Sequence, residues 1–333
     1  MRIAVLLGVA GLLGCGAAGA DFTDREDVRE YMVDLVNEHG FNKLELEDVI
    51  GSARHRQEVL DLISKPAERS LKWWEYRRIF LRATTIDQGL EFWTANEAIL
   101  AQAQNRFGVP PEYVVAIIGV ETRWGRVVGR HRVLDALMTL AFDDSHSRPA
   151  FFRNELTEFL LLAREEGKNP LDLKGSYAGA MGYGQFIPSS YRNYAVDFDG
   201  DGLRDIWSNE SDAIGSVANY FERHGWRGDG PVVVKVDVAS GQTSAVDAVA
   251  NKGVRLGHTV DELQALGVAV GDLPGDAKAA MFRMVLKDGE EYWLGLNNFY
   301  VIMRYNRSHL YALAVHQLGQ AIKQRRMALA AVR

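Results

Sequence analysis

Gly108-Val-Pro-Pro-Glu-Tyr-Val-Val-Ala-Ile-Ile-Gly-Val-Glu-Thr-Arg-Trp-Gly125 is the stretch that decides the fold. Pro110 and Pro111 suit the first turn of a helix, where the missing N–H is no loss. Tyr113, Val114, Ile117, Ile118 and Val120 then make that helix apolar almost all round, which predicts burial. Thr122 and Gly125 signal its end, and one carboxylate, Glu121, sits there. Burial disfavours an ionised carboxyl group, so Glu121 is expected to titrate high and to hold a proton for general-acid work on a glycosidic oxygen. An ion pair with Arg123 or Arg126 at a helix end is the other reading, and this segment alone leaves both open.

A second stretch, Ser176-Tyr-Ala-Gly-Ala-Met-Gly-Tyr-Gly-Gln-Phe-Ile-Pro-Ser-Ser-Tyr191, is rich in glycine and aromatics and nearly free of charge. Glycines allow backbone to approach a ligand closely. Ser176, Tyr183, Gln185 and Tyr191 offer neutral donors and acceptors beside flat rings, a combination suited to a sugar. Together, Gly119-Val-Glu-Thr-Arg-Trp-Gly125 and Gly179-Ala-Met-Gly-Tyr-Gly-Gln-Phe-Ile-Pro-Ser-Ser-Tyr191 resemble the membrane-bound lytic murein transglycosylase B family. These are peptidoglycan-cleaving enzymes with a lysozyme-like core, and the resemblance extends over nearly all of the chain after its leader.

Composition bounds the alternatives. The 333 residues suffice for one large domain or two to three subdomains, and 47% hydrophobic with 25% charged residues is ordinary for a soluble globular chain. A net charge of −6 provides no basic stripe for phosphates, so nucleic acid is not an expected partner. Residues 1–20 read as a secretory leader, with an apolar run from Ile3 to Leu13 too short for a permanent anchor. Leu12-Leu13-Gly14-Cys15 resembles a lipobox, in which Cys15 is lipidated and tethers the protein to the inner leaflet of the outer membrane. A cut after Ala18-Gly19-Ala20, leaving a soluble periplasmic protein, is the alternative. Cys15 is the sole cysteine, so no intramolecular disulfide is available and the exported chain relies on its core. A monomer is expected.

The fold class read from the chain is α+β, predominantly α. Residues 21–106, joined by a closing helix at 308–325, read as an N-terminal helical subdomain. Within them Val28, Tyr31, Met32 and Leu35 recur at helix spacing, a short helix ends at Gly51, and Ile86 to Phe107 reads as one helix. Trp74 and Phe80 are expected in the core. Residues 107–228 form the helical core, which the resemblance makes lysozyme-like and catalytic. Residues 229–294 change character: strands at Val232–Val238, Ala277–Leu286 and Glu291–Leu294 surround a helix capped by Thr259 and Glu262, giving a small inserted α/β subdomain. Residues 295–307 return to the core.

Asp197-Phe-Asp-Gly-Asp-Gly-Leu-Arg-Asp205 reads as a calcium loop. Asp197, Asp199 and Asp201 alternate, Gly202 supplies the turn, and Leu203 can offer its carbonyl. Ser208 stands where the loop's usual glutamate would be, so Asp212 is expected to close a longer loop spanning 197–212, as its counterpart does in the resembled family. The ion is read as structural Ca2+, and no organic cofactor is expected.

The resemblance also implies site roles. It places Tyr76, Tyr220, Tyr305 and Asn306 along the sugar groove, and Arg148, followed here by Pro149, where the family has paired arginines that orient substrate. Ser176 and Gln185 are read as binding sugar substituents. With one convincing carboxylate, the chemistry implied is cleavage of the MurNAc-β-1,4-GlcNAc bond without water. Glu121 serves there as both acid and base, and the substrate's C6 hydroxyl closes a 1,6-anhydro ring. The alternatives are a hydrolytic muramidase using Asp143 or Asp144, and a non-catalytic peptidoglycan-binding protein on the same fold.

Overall fold

A computed structural model describes residues 22–64, 71–145 and 147–331. The leader, with Cys15 and both processing sites, lies outside them. None of the helices among the described residues is long and apolar enough to cross a membrane. The chain divides into two compact units, Met1–His55 and Arg56–Arg333.

In the first unit, α1 (Glu26–His39) buries Val28, Tyr31, Met32 and Leu35, the four positions its spacing singled out. It ends at Gly40, whose φ of 65° lets its N–H reach the carbonyls of Leu35 and Val36. Asn42 then opens α2 (Lys43–Gly51) by accepting from the N–H groups of Leu44 and Glu45.

The second unit is built around α7 (Pro111–Thr122), whose residues from Glu112 to Gly119 are all buried. Around it pack α5 (Ala83–Ala95), α6 (Glu97–Phe107), α11 (Glu210–Arg223) and the closing α15 (His309–Ala330). Beside these lie α3 (Gln57–Ser64) and α4 (Trp73–Phe80); α8 (Val133–Phe142) packs on α9 (Pro149–Glu165), and α9 on α10 (Pro188–Tyr194). Within this unit α4, α5 and α6 pack on α15, α7 and α11.

Two expectations are corrected. The stretch 86–107 is two helices, because the side chain of Asn96 bonds the Phe92 carbonyl at 3.1 Å and Glu210 at 2.7 Å. A side-chain amide competing with the backbone ladder breaks a helix in this way. On α4, Trp73 and Tyr76, three apart, form the buried face at 1% exposure each, leaving Trp74 and Phe80 half-buried.

A two-residue pair, β1 (His131–Arg132) with β2 (Lys174–Gly175), leads into the glycine-rich stretch. The insert holds β3 (Val233–Val236), α12 (Thr243–Val249), β4 (His258–Thr259), α13 (Val260–Ala265), β5 (Lys278–Val285) and β6 (Glu290–Gly295). Its antiparallel sheet runs β3-β6-β5-β4, over a core of Val246, Val260, Leu263, Met281 and Leu294. The capping box on α13 is present as read, with Thr259 and Glu262 bonding reciprocally at 3.2 and 2.9 Å. After the sheet, α14 (Asn297–Tyr305) returns the chain to the helical core.

The end of α7 is held by Trp124, which folds back so that its indole N–H reaches the Val115 carbonyl at 3.0 Å. Its ring lies on Gly119, where an added Cβ would sit 2.4 Å from a ring carbon. Gly119→Ala is therefore expected to cost about 1–3 kcal/mol by overpacking, less the ~1 kcal/mol that alanine gains in helix propensity. Urea unfolding measures this; a midpoint at or above that of the parent protein would refute the close packing.

Candidate active site

Glu121 occupies the last turn of α7 and is half-buried. Beyond Thr122 the backbone turns left-handed at three successive residues, Arg123, Trp124 and Gly125, with φ of 51°, 57° and 80°. The N–H groups of Arg123 and Trp124 fold back onto the carbonyls of Gly119 and Ile118, closing the helix end. Thr122 Oγ1 lies 3.1 Å from the Ile118 carbonyl and 2.9 Å from that of Tyr183, its donor positions, and accepts from Gly125 N at 3.0 Å. One hydroxyl thus ties the helix carrying Glu121 to the glycine-rich stretch.

That stretch is folded by its own glycines and by backbone bridges from Met181 to Gly175 and Phe186. Gly125 faces the ring of Tyr183, and a Cβ there would lie 2.4 Å from it. Gln185 adopts φ 50°, and its amide nitrogen donates to the Gly182 and Val128 carbonyls at 2.9 and 3.2 Å. Ser176 Oγ accepts from the N–H groups of Ala178 and Ala180, shaping the loop, and its own proton finds no acceptor among the described residues. Both side chains are half-buried.

Aromatic hydroxyls frame the carboxylate. Tyr311, fully buried on the first turn of α15, donates to Glu121 Oε1 at 2.5 Å. Tyr305 donates to the Gly184 carbonyl at 2.5 Å, and Gly184 has no room for a Cβ beneath that hydroxyl. Burial first, and the charge of Glu121 second, push both phenols well above the ordinary tyrosine range, so they remain protonated donors. Tyr76 lies within electrostatic reach of Tyr311, and with 1% exposure it forms part of the wall's packing.

The other sequence-derived positions fall differently. Tyr220 is 6% exposed, donates to the Arg304 carbonyl at 2.7 Å and packs 4.7 Å from the Tyr305 ring, so it supports Tyr305 from within. Asn306 is half-buried where α14 ends. Arg148 is exposed before α9, with its guanidinium 4.0 Å over the Phe151 ring. Asp143 accepts from Ser145 N and Oγ within its own loop, and Asp144 is exposed.

The sequence reading missed Tyr311, which it saw only as the start of a closing helix. The one signal was its place six residues after Tyr305, following the helix-capping Ser308. It also gave no weight to Glu210, which pushes the Tyr183 phenol up, after burial, while bonding Asn96.

Away from Glu121, ligand oxygens of Asp197, Asp199, Asp201 and Asp212 lie within 4.8 Å of one another. Asp212 is fully buried, and its two oxygens each accept a backbone N–H, from Phe198 and Asp205, at 2.7 Å. Burial, opposed by those bonds and reinforced by the charges of Asp199 and Asp197, pushes its carboxyl up. Asn209, which the sequence reading passed over, bonds Asp199 at 2.7 Å and caps α11. Four hard carboxylates converging on one point suit a hard cation such as Ca2+. Leu203 is half exposed beside them, and its N–H bonds Asp201.

The chain is 43% identical over 315 residues to membrane-bound lytic murein transglycosylase B of Escherichia coli strain K12, covering 91% of this chain and 84% of that protein. It superposes on soluble lytic transglycosylase SltB1 of Pseudomonas aeruginosa with a TM-score of 0.85 and 48% identity, over 90% of this chain and 99% of that one. It also matches the E. coli lytic transglycosylase Slt35 solved in complex with calcium, with a TM-score of 0.82 and 42% identity over 94% and 96% of the two chains. A family model described as the transglycosylase SLT domain matches residues 23–320, and the chain belongs to that family.

Proposed function

We propose that the protein is a lytic transglycosylase that cleaves the MurNAc-β-1,4-GlcNAc bond of peptidoglycan without water, leaving 1,6-anhydroMurNAc ends. The observation that carries this is the pairing of Glu121 with a buried phenol at the end of a buried helix, beside a neutral, glycine-rich loop. Tyr311 donates to Oε1, so the acid proton belongs on Oε2. From there it passes to the glycosidic oxygen as the bond to C1 breaks. The cationic sugar is stabilised by its own N-acetyl group. Glu121, now ionised, takes the proton of the C6 hydroxyl as that oxygen attacks C1 within the same residue. Bond making inside one substrate gains from proximity and needs no positioned water. Ser176 and Gln185 hold sugar substituents; Tyr305, Asn306 and Arg148 line the groove, and Tyr76 and Tyr220, buried behind it, shape its wall.

The acidic loop is the seat of a structural Ca2+ held by Asp197, Asp199, Asp201, the Leu203 carbonyl and Asp212. Support comes from the convergence of the four carboxylates and from the calcium complex of Slt35. A cation held there would neutralise the carboxylates at the start of α11, whose later residue Tyr220 underlies Tyr305. The protein is exported. Attachment of lipid to Cys15 is the reading carried forward, in keeping with a relative named membrane-bound, and a soluble form cut after Ala20 is the alternative. Its architecture is an N-terminal helical region, a catalytic core and an α/β insert near residues 229–294.

Digestion of purified sacculi tests the chemistry. Products should be lighter by one water than those of a hydrolase, and Glu121→Gln should abolish them while folding normally. Hydrated ends would instead mark a muramidase. Tyr311→Phe should lower kcat by roughly 10- to 100-fold with little change in KM, the scale of one hydrogen bond to a charged group. A variant with undiminished kcat would remove Tyr311 from the scheme.

Calcium at about a hundredfold excess over its Kd should raise Tm by about 3–8 °C, and Asp201→Asn should erase the rise. Equal melting with calcium and with chelator would refute the ion site.

A further inference from the structure

A cavity of about 440 Å³ opens between the insert and the helical core, and neither the catalytic scheme nor the acidic loop uses it. Its lining includes the apolar Leu273 and Leu296 and three charged side chains, Arg227, Lys278 and Asp276. All three are exposed, and none makes a hydrogen bond or ion pair through its side chain among the described residues. Two cations and one anion give this cavity a local positive balance in a chain whose net charge is −6.

Its wall is fixed in advance. Asn298, 1% exposed, accepts from Arg227 N at 2.9 Å and donates to the Gly230 carbonyl at 3.0 Å, binding the linker that enters the insert to the helix that leaves it. A cavity of this size with apolar walls and few, separated charges fits a small amphoteric molecule better than an extended polymer. Unlike the loop around Gln185, it offers charge to its ligand.

We propose that this cavity binds the peptide stem of peptidoglycan, taking a stem carboxylate at Arg227 and Lys278 and a stem amine at Asp276. The assignment rests on the murein reading above and adds a second point of substrate contact to it. Reach supports it. The cavity borders the first residues of α14 (Leu296 to Asn298), while Tyr305, beside Glu121, ends that helix. Nine helical residues span about 12 Å, and four or five extended peptide residues span roughly 13–18 Å. A stem carried by a sugar near Glu121 is therefore long enough to arrive at the cavity.

The test compares intact sacculi with sacculi stripped of peptide by an amidase, for the wild-type protein and for Arg227→Ala/Lys278→Ala. On intact sacculi the double variant should show KM raised by about tenfold or more with kcat within twofold, the scale of lost charged hydrogen bonds. On bare glycan it should match the wild type. Calorimetry with an isolated tetrapeptide stem should show binding to the wild type and none to the variant, and Arg227→Lys/Lys278→Arg should restore the wild-type KM. Equal loss on both substrates, no loss on either, or a stem that fails to bind the wild type at millimolar concentration would overturn the proposal while leaving the catalytic reading intact. A wild type that cleaves neither substrate would overturn both.

Discussion

The return of Trp124 onto Gly119 is the contact on which the site depends. Left-handed backbone costs a non-glycine residue about 1–2 kcal/mol, and both Arg123 and Trp124 adopt it. Burying an indole whose N–H is satisfied offsets that cost, since a side chain of this size removes about 200 Å² from water at roughly 25 cal/mol per Å². Space for the ring exists because Gly119 and Gly89 carry no side chain where it lies. The outcome is a helix that ends abruptly one residue after Glu121. Its carboxylate is thereby held on a rigid element, and the chain beyond it crosses under the glycine-rich loop through Thr122 and Gly125.

Helix α7 carries a carboxylate at each end, and their surroundings separate their roles. Glu112, 4% exposed, meets Lys323 at 2.8 Å and so has a full opposite charge beside it. At the other end a neutral phenol, Tyr311, donates to Glu121. A hydroxyl can donate to a carboxylate and also stay bonded to a carboxylic acid, so it serves both states of a group that must lose and regain a proton. A lysine at that place would favour the ionised state alone.

Much of this was legible because it was local. The apolar run from Tyr113 to Val120 announced a buried helix, Thr259 with Glu262 announced a cap, and three alternating aspartates announced an acidic loop. Tyr311 was not legible, since it meets Glu121 across 190 positions and nothing in the sequence near it differs from an ordinary helix start. The split at Asn96 escaped for the same reason: its cause is Glu210, far along the chain. Tyr220 and Tyr76 were placed by resemblance alone. Both rings are buried, at 6% and 1%, a packing that local sequence does not announce. Trp74 and Phe80 erred in the opposite sense, because a dense aromatic cluster on a short helix has an outer face as well as an inner one.

A single carboxylate that first gives and then takes a proton imposes an order on the reaction. In the proposed scheme, with Oε1 of Glu121 engaged by Tyr311, the same second oxygen must face the leaving oxygen in one step and the C6 hydroxyl in the next. The leaving sugar has therefore to withdraw before the ring can close. During that interval the cationic sugar survives only if water is kept from C1. The buried Tyr76 and Tyr311, with the half-buried Tyr305 bonded to the Gly184 carbonyl, would restrict that access. A second carboxylate poised to activate water would defeat this arrangement; of the loop carboxylates, Asp143 accepts from Ser145 within its own loop and Asp144 is exposed. On this view, producing an anhydro end requires excluding a general base as much as placing an acid.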